Sequence, residues 1–126
     1  MKKIITIIAI FILQQICYTQ GNLQFDHAFF EQLESFGGTD PTLNIVVPTG
    51  QVFKMTHASV GGNSGVRLEV KKSTNTTYST LSRSEMPPHS SFPIWFEPGT
   101  YTFKLDNASG QSYGATISGI FFNVIP

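Results

Sequence analysis

The stretch Ile94-Trp95-Phe96-Glu97-Pro98-Gly99-Thr100-Tyr101-Thr102-Phe103-Lys104-Leu105 limits the possible folds of this chain more than any other. Tyr101, Phe103 and Leu105 alternate with Thr100, Thr102 and Lys104. Apolar residues at every second position do not form one face of a helix, but they line one face of a strand. In the segment before them, Ile94 and Phe96 share a parity and Trp95 takes the other. Pro98 fixes its own φ and Gly99 is free to take a positive one, so the pair marks a turn. The expectation is a hairpin of strand, tight turn and strand.

Similar signals recur along the chain. Val66, Leu68 and Val70 alternate with Arg67, Glu69 and Lys71, a half-exposed strand. Gln51 to Val60 puts Val52, Lys54, Thr56, Ala58 and Val60 on one parity and Phe53, Met55, His57 and Ser59 on the other. Leu43 to Val47 is a short strand ending in Pro48-Thr49-Gly50. Tyr78 to Leu81 reads as a brief strand, and Ser82 to Ser91 as a polar crossing between sheets, because Pro87 and Pro88 have no N–H to give a ladder. Ala115 to Val124 is the last strand, and its apolar end predicts burial on both faces. Val47 to Lys54 and Glu97 to Lys104 echo each other, each a Pro/Gly turn leading into an amphipathic strand. They are expected to be structurally equivalent turns.

Leu23 to Phe36 reads two ways. As a helix, Asp26 caps it, Phe29, Leu33 and Phe36 share a face, and Gly37 stops it. As a strand, Leu23, Phe25, His27, Phe29 and Leu33 share one parity, with Glu31 intruding. The remainder of the chain reads as β, so a strand over residues 23–33 is the simpler architecture. About eight short strands at intervals of roughly 8–12 residues predict a single antiparallel β-sandwich of jelly-roll type.

The chain begins differently. Lys2 and Lys3 precede a run from Ile4 to Leu13 that is apolar except for Thr6, followed by the polar Gln14 and Gln15 and the small Cys17 and Thr19. The run is shorter than the roughly 20 residues that span a bilayer, so residues 1–19 are expected to be a signal peptide. Gln14 and Ile16 do not fit a lipoprotein pattern at Cys17. Removal of residues 1–19 takes the only cysteine with it and leaves residues 20–126, with six basic against eight acidic residues. That excludes a disulfide framework and a basic patch, so nucleic acid is not an expected partner, and no stable membrane anchor is expected after cleavage.

Nothing in the chain reads as catalytic machinery. His27, His57 and His89 have no metal-ligand spacing, and Glu31, Glu34, Glu69, Glu85 and Glu97 share no motif. Gly62-Asn63-Ser64-Gly65 is not a nucleophile elbow, and no glycine loop opens a helix to hold a phosphate. Neither cofactor nor metal is expected, and a hydrolase is the least favoured class. The aromatics matter more. Trp95 is out of phase with its core neighbours, and with Tyr78 and Tyr113 it offers flat rings suited to stacking on a sugar or a peptide. Asn107 and Gln111 would supply hydrogen bonds from the adjacent loop. These five residues are the candidate ligand site. Eleven phenylalanines on a small, sparsely charged chain also predict exposed apolar patches and self-association.

The start Gln20-Gly21-Asn22-Leu23-Gln24-Phe25, the turn Val47-Pro48-Thr49-Gly50-Gln51-Val52-Phe53-Lys54, the stretch Phe96 to Phe103 and the end Ile117 to Val124 resemble small secreted β-sandwich proteins of Bacteroidetes-type bacteria. That resemblance implies a single secreted domain and brings no site residues. Gly99 to Phe103 also looks, more weakly, like jelly-roll carbohydrate-binding modules, which implies a glycan ligand. The expected function is therefore a secreted or periplasmic, non-catalytic binding or structural module. Its partner would be an extracellular protein, a second copy of itself, or a glycan.

Overall fold

The computed structural model describes residues 22–62, 65–84, 92–108 and 110–125. The expected leader with Cys17, and Glu85, Pro87, Pro88 and His89 in the polar crossing, lie outside these residues. Eight strands succeed one another: β1 (Asn22–Ser35), β2 (Thr42–Val47), β3 (Gln51–Val60), β4 (Val66–Lys72), β5 (Ser79–Arg83), β6 (Ile94–Phe96), β7 (Gly99–Asn107) and β8 (Tyr113–Ile125). They form two four-stranded sheets. Sheet A has the order β1-β8-β3-β6 and sheet B the order β2-β7-β4-β5, with every pairing antiparallel. The chain changes sheet at every connection except β4 to β5. The fold is thus an all-β sandwich with the wrapped strand order of a jelly roll.

The ambiguous segment is a strand. β1 pairs with β8 from Asn22 opposite Ile125 to Ser35 opposite Tyr113. Local helix propensity gives way because the apolar inner positions Phe29 and Leu33 meet the core only when the chain is extended along β8. The β-sandwich core is made by the inner positions of both sheets. Phe53, Met55, Val66, Leu68, Phe103, Leu105 and Ile117 are fully buried. Along β7 the expected alternation is complete, with Tyr101, Phe103 and Leu105 inside.

Four sequence expectations are corrected. The stretch 94–105 is not a hairpin. β6 pairs with β3 in sheet A, whereas β7 pairs with β2 and β4 in sheet B, so Glu97-Pro98 is a corner between sheets. A period of two tells which face a residue takes but not which strand lies beside it. Val47 to Gln51 also passes between the sheets at the same end, but from sheet B to sheet A, closed by a Gln51 N–H to Pro48 carbonyl bond, whereas Glu97-Pro98 passes from A to B. Second, β-bulges break the phase of β1 between Phe25 and His27 and of β3 between Met55 and His57. An extra residue flips every later side chain to the opposite face. Leu23 and Phe25 therefore point outward while His27, Phe29 and Leu33 point inward, and Ala58 rather than His57 succeeds Met55 in the core. Third, the apolar end of β8 is not buried on both faces. Phe121 is buried, Phe122 is half-buried, and Val124 and Ile125 are exposed. Fourth, β5 runs on to Arg83, two residues into the expected polar crossing; the ends of that crossing do lie in different sheets.

Candidate functional site

The structure does not gather the five sequence candidates into one site. Asn107, Gln111 and Tyr113 come together at the end of the sandwich where β7 passes into β8. Asn107 is buried, its Nδ2 donates to Ser35 Oγ at 2.7 Å and to the Gln111 carbonyl at 2.6 Å, and its backbone N–H donates to Asp40 Oδ1 at 3.0 Å. Tyr113 Oη donates to Gln111 Oε1 at 2.6 Å, and its ring fills the space above Gly62. Tyr78 lies elsewhere, with Lys71 Nζ 4.7 Å from its ring centroid, on the sheet B side. Trp95 lies on β6, at the edge of sheet A.

The amide of Asn107 therefore ties the β1–β2 and β7–β8 connections together. Asn107→Ala is expected to cost about 2–3 kcal/mol, because it strands buried partners such as Ser35 Oγ without a donor. Chemical denaturation measures this, and the isosteric Asn107→Asp should cost at least as much.

A charged network continues from Asn107 across the outer face of sheet B. Lys104 Nζ meets Asp40 Oδ2 at 2.9 Å and Asp106 Oδ1 at 3.3 Å, and Arg67 meets Asp106 Oδ2 at 2.6 Å. The backbone N–H of Asn107, then Lys104, hold the Asp40 carboxyl below its usual range. A lowered carboxyl stabilises the fold above the unfolded-state value near pH 4, and that contribution is lost as pH falls through the lower folded value. The thermal midpoint is thus expected to drop below about pH 4, and less steeply in Asp40→Asn; a series of melts from pH 2 to 6 checks it. Asp40 is partly exposed, so solvent screening keeps the effect modest.

Sheet A presents the opposite surface. Its outer positions near the Gln51 end are Leu23 and Phe25 of β1, Val52 of β3, Ile120, Phe122 and Val124 of β8, and Trp95 of β6. Phe30 of β1 continues the set. Phe25 is 61% exposed, Phe30 64%, Trp95 47%, Leu23 45% and Val124 43%, large values for apolar side chains on one face. The Trp95 ring lies 5.9 Å from that of Phe122, and Lys54 Nζ sits 5.2 Å from the Trp95 centroid. Towards the far end the same face turns polar, where Ser59 Oγ and Thr116 Oγ1 share a hydrogen bond of 2.6 Å. The phase of the sequence points to Trp95. It does not point to Phe25, Phe30 or Phe122, whose only signal is the overall excess of phenylalanine.

A polar cluster closes the rim of sheet A on its inner side. Gln51 Nε2 donates to Asn123 Oδ1 at 2.8 Å and to Asp26 Oδ2 at 3.2 Å, and Asn123 Nδ2 donates to Asp26 Oδ1 at 3.2 Å. His27, stacked on Phe121 with centroids 4.6 Å apart, reaches Asp26 Oδ2 at 2.6 Å and holds that carboxyl below its usual range. The bulge at Phe25–His27 is what brings Asp26 to this cluster. Among the described residues no three His, Cys, Asp or Glu side chains converge as metal ligands. Also among them, no helix is long and apolar enough to cross a membrane.

The chain matches no protein-family model, and no curated protein matches it significantly. Solved structures do resemble it. A chain of Sulfolobus turreted icosahedral virus is 20% identical with a TM-score of 0.50, covering 82% of this chain but 31% of the viral one. A periplasmic inhibitor of g-type lysozyme from Salmonella Typhimurium is 17% identical over 79% of this chain and 95% of its own, with a TM-score of 0.47. The Drosophila NLP core, whose structure concerns pentamer formation and histone binding, is 19% identical over 73% and 96%, also at 0.47. At these identities the likeness is one of fold: an all-β sandwich on which function is set by the surface.

Proposed function

We propose that this protein is a secreted, non-catalytic module that binds another protein chain through the apolar half of the outer face of sheet A. The contrast between its two outer faces is the observation behind this reading. Sheet B carries the Asp40, Lys104, Asp106 and Arg67 network with Val46 as an exposed apolar side chain, whereas sheet A exposes Leu23, Phe25, Phe30, Trp95 and Val124. A core of aromatic and aliphatic side chains with a polar border is the make-up of a protein contact surface. Secretion rests on the leader-like residues 1–19.

Sugar stacking at Trp95 is the second reading, supported by its half-exposed ring. Two observations favour protein over sugar. Lys54 already covers part of the Trp95 ring, and beside that one ammonium the flanking outer residues Phe122 and Val52 are apolar. The test is affinity isolation of tagged protein from the cells that secrete it, alongside a glycan array. A discrete protein recovered with wild type and lost with Trp95→Lys supports the proposal. An array signal lost with Trp95→Ala, with no co-isolated protein, overturns it in favour of sugar binding.

A further inference from the structure

A sandwich of two open sheets has four edge strands, and three of them here are short. β6 has 3 residues, β5 has 5 and β2 has 6. β1 has 14 and, among the described residues, pairs only with β8. Long edge strands invite pairing with another chain, and soluble proteins usually blunt them with charged side chains (Lys above all), Pro, bulges or a covering segment. β1 contains neither Lys nor Pro, and its one bulge lies near its start, leaving His27 to Ser35 in regular register. We infer that β1 pairs antiparallel with β1 of a second copy of this chain, joining two A sheets into one continuous eight-stranded sheet. It rests on the reading of sheet A as the contact side of the molecule and names the partner.

Symmetry restricts the register. A two-fold axis normal to the sheet must set inward residues opposite inward ones, so the axis passes through a residue of β1. Centring on Glu31 sets the two Glu31 carboxylates against each other. Centring on Phe30 sets Asp26 opposite Glu34 of the second copy, again like charges. Centring on Ala28 leaves only His27 to Phe29 paired between the two bulges. Centring on Phe29 opposes no like charges and leaves His27 to Glu31 of each copy paired between the two bulges. It sets the His27 imidazole opposite the carboxylate of Glu31 of the second copy on the inner side. On the outer side it sets Phe30 over Ala28 of the second copy, large against small, twice. Phe25 and Phe30 of both copies, each more than 60% exposed in the single chain, offer on the order of 400–600 Å² of aromatic surface around the seam. That is about a third of a standard interface, to which the paired backbones and the rest of β1 add.

The test is sedimentation velocity of the purified protein and of Ala28→Lys from about 1 to 200 µM, with circular dichroism to confirm the fold. Ala28 is exposed on the edge strand, so the substitution leaves the single chain's core alone. A wild-type dimer whose dissociation constant rises about tenfold or more in Ala28→Lys is the expected result. Register is read by disulfide trapping in a Cys17→Ser background. Ala28→Cys mixed with Phe30→Cys should cross-link, and Phe30→Cys alone should not. A strict monomer over the whole range, a dimer indifferent to Ala28→Lys, or cross-linking of Phe30→Cys with itself overturns the inference. Failure of the edge pairing is distinguishable from failure of the contact face. A dimer lost in Trp95→Lys but not in Ala28→Lys, or a different protein co-isolated by a monomer, defeats the edge pairing and leaves the contact face standing.

Discussion

Phe53→Ala is expected to destabilise the protein by about 3–5 kcal/mol, the range for deleting a fully buried aromatic ring. Phe53 has no solvent exposure and lies where three strands of sheet A meet. Its ring stacks on Phe121 at 4.7 Å and on Phe96 at 5.8 Å and meets the edge of Phe29 at 5.5 Å. These neighbours sit on β8, β6 and β1, so the cavity cannot close without moving three strands at once. The upper half of the range is therefore expected. Urea unfolding measures it, and a loss under about 1.5 kcal/mol would mean that the aromatic cluster relaxes around the gap.

Gly119→Ala should cost about 2–4 kcal/mol, towards or beyond the upper end of the usual cost of overpacking. A Cβ at Gly119 would lie 2.4 Å from the Phe53 ring and 2.5 Å from the Lys54 carbonyl oxygen. The ring is packed against Phe29, Phe96 and Phe121, and the carbonyl belongs to the paired β3 backbone, so neither gives way cheaply. Because the two residues touch, their costs should not add. Gly119→Ala is expected to cost less in a Phe53→Ala background, where only the carbonyl opposes the new methyl. Equal costs in both backgrounds would place the clash on the Lys54 backbone alone.

How legible the fold is in the sequence differs from strand to strand, for physical reasons. β7 and β4 lie inside sheet B, and β7 has no bulge, so the alternation of Tyr101, Phe103 and Leu105 maps directly onto inside and outside. β1 and β3 each carry a bulge, and one inserted residue reverses the phase of every later position in the strand without changing composition. Sequence parity therefore groups Phe25 with Phe29, although the two point to opposite faces. Glu97-Pro98-Gly99 looks the same whether it closes a hairpin or turns a corner, because the choice depends on what β6 and β7 find beside them. Of the candidate face, Trp95 is visible because it breaks the phase of its own strand. Phe122 is not, because an apolar run at the end of β8 reads equally as burial on two faces or as one buried and one sticky face. Asn107, Gln111 and Tyr113 are neighbours in sequence and in space, and the structure shows them bonded to the fold itself.

Photo-cross-linking from position 95 tests the central claim most directly. A photoreactive residue placed at Trp95, in cells that produce the protein, is compared with the same residue at Thr80, exposed on sheet B. Binding through the outer face of sheet A predicts a discrete protein adduct from position 95 and none from position 80. Adducts of equal yield from both positions, or none from position 95, would contradict it.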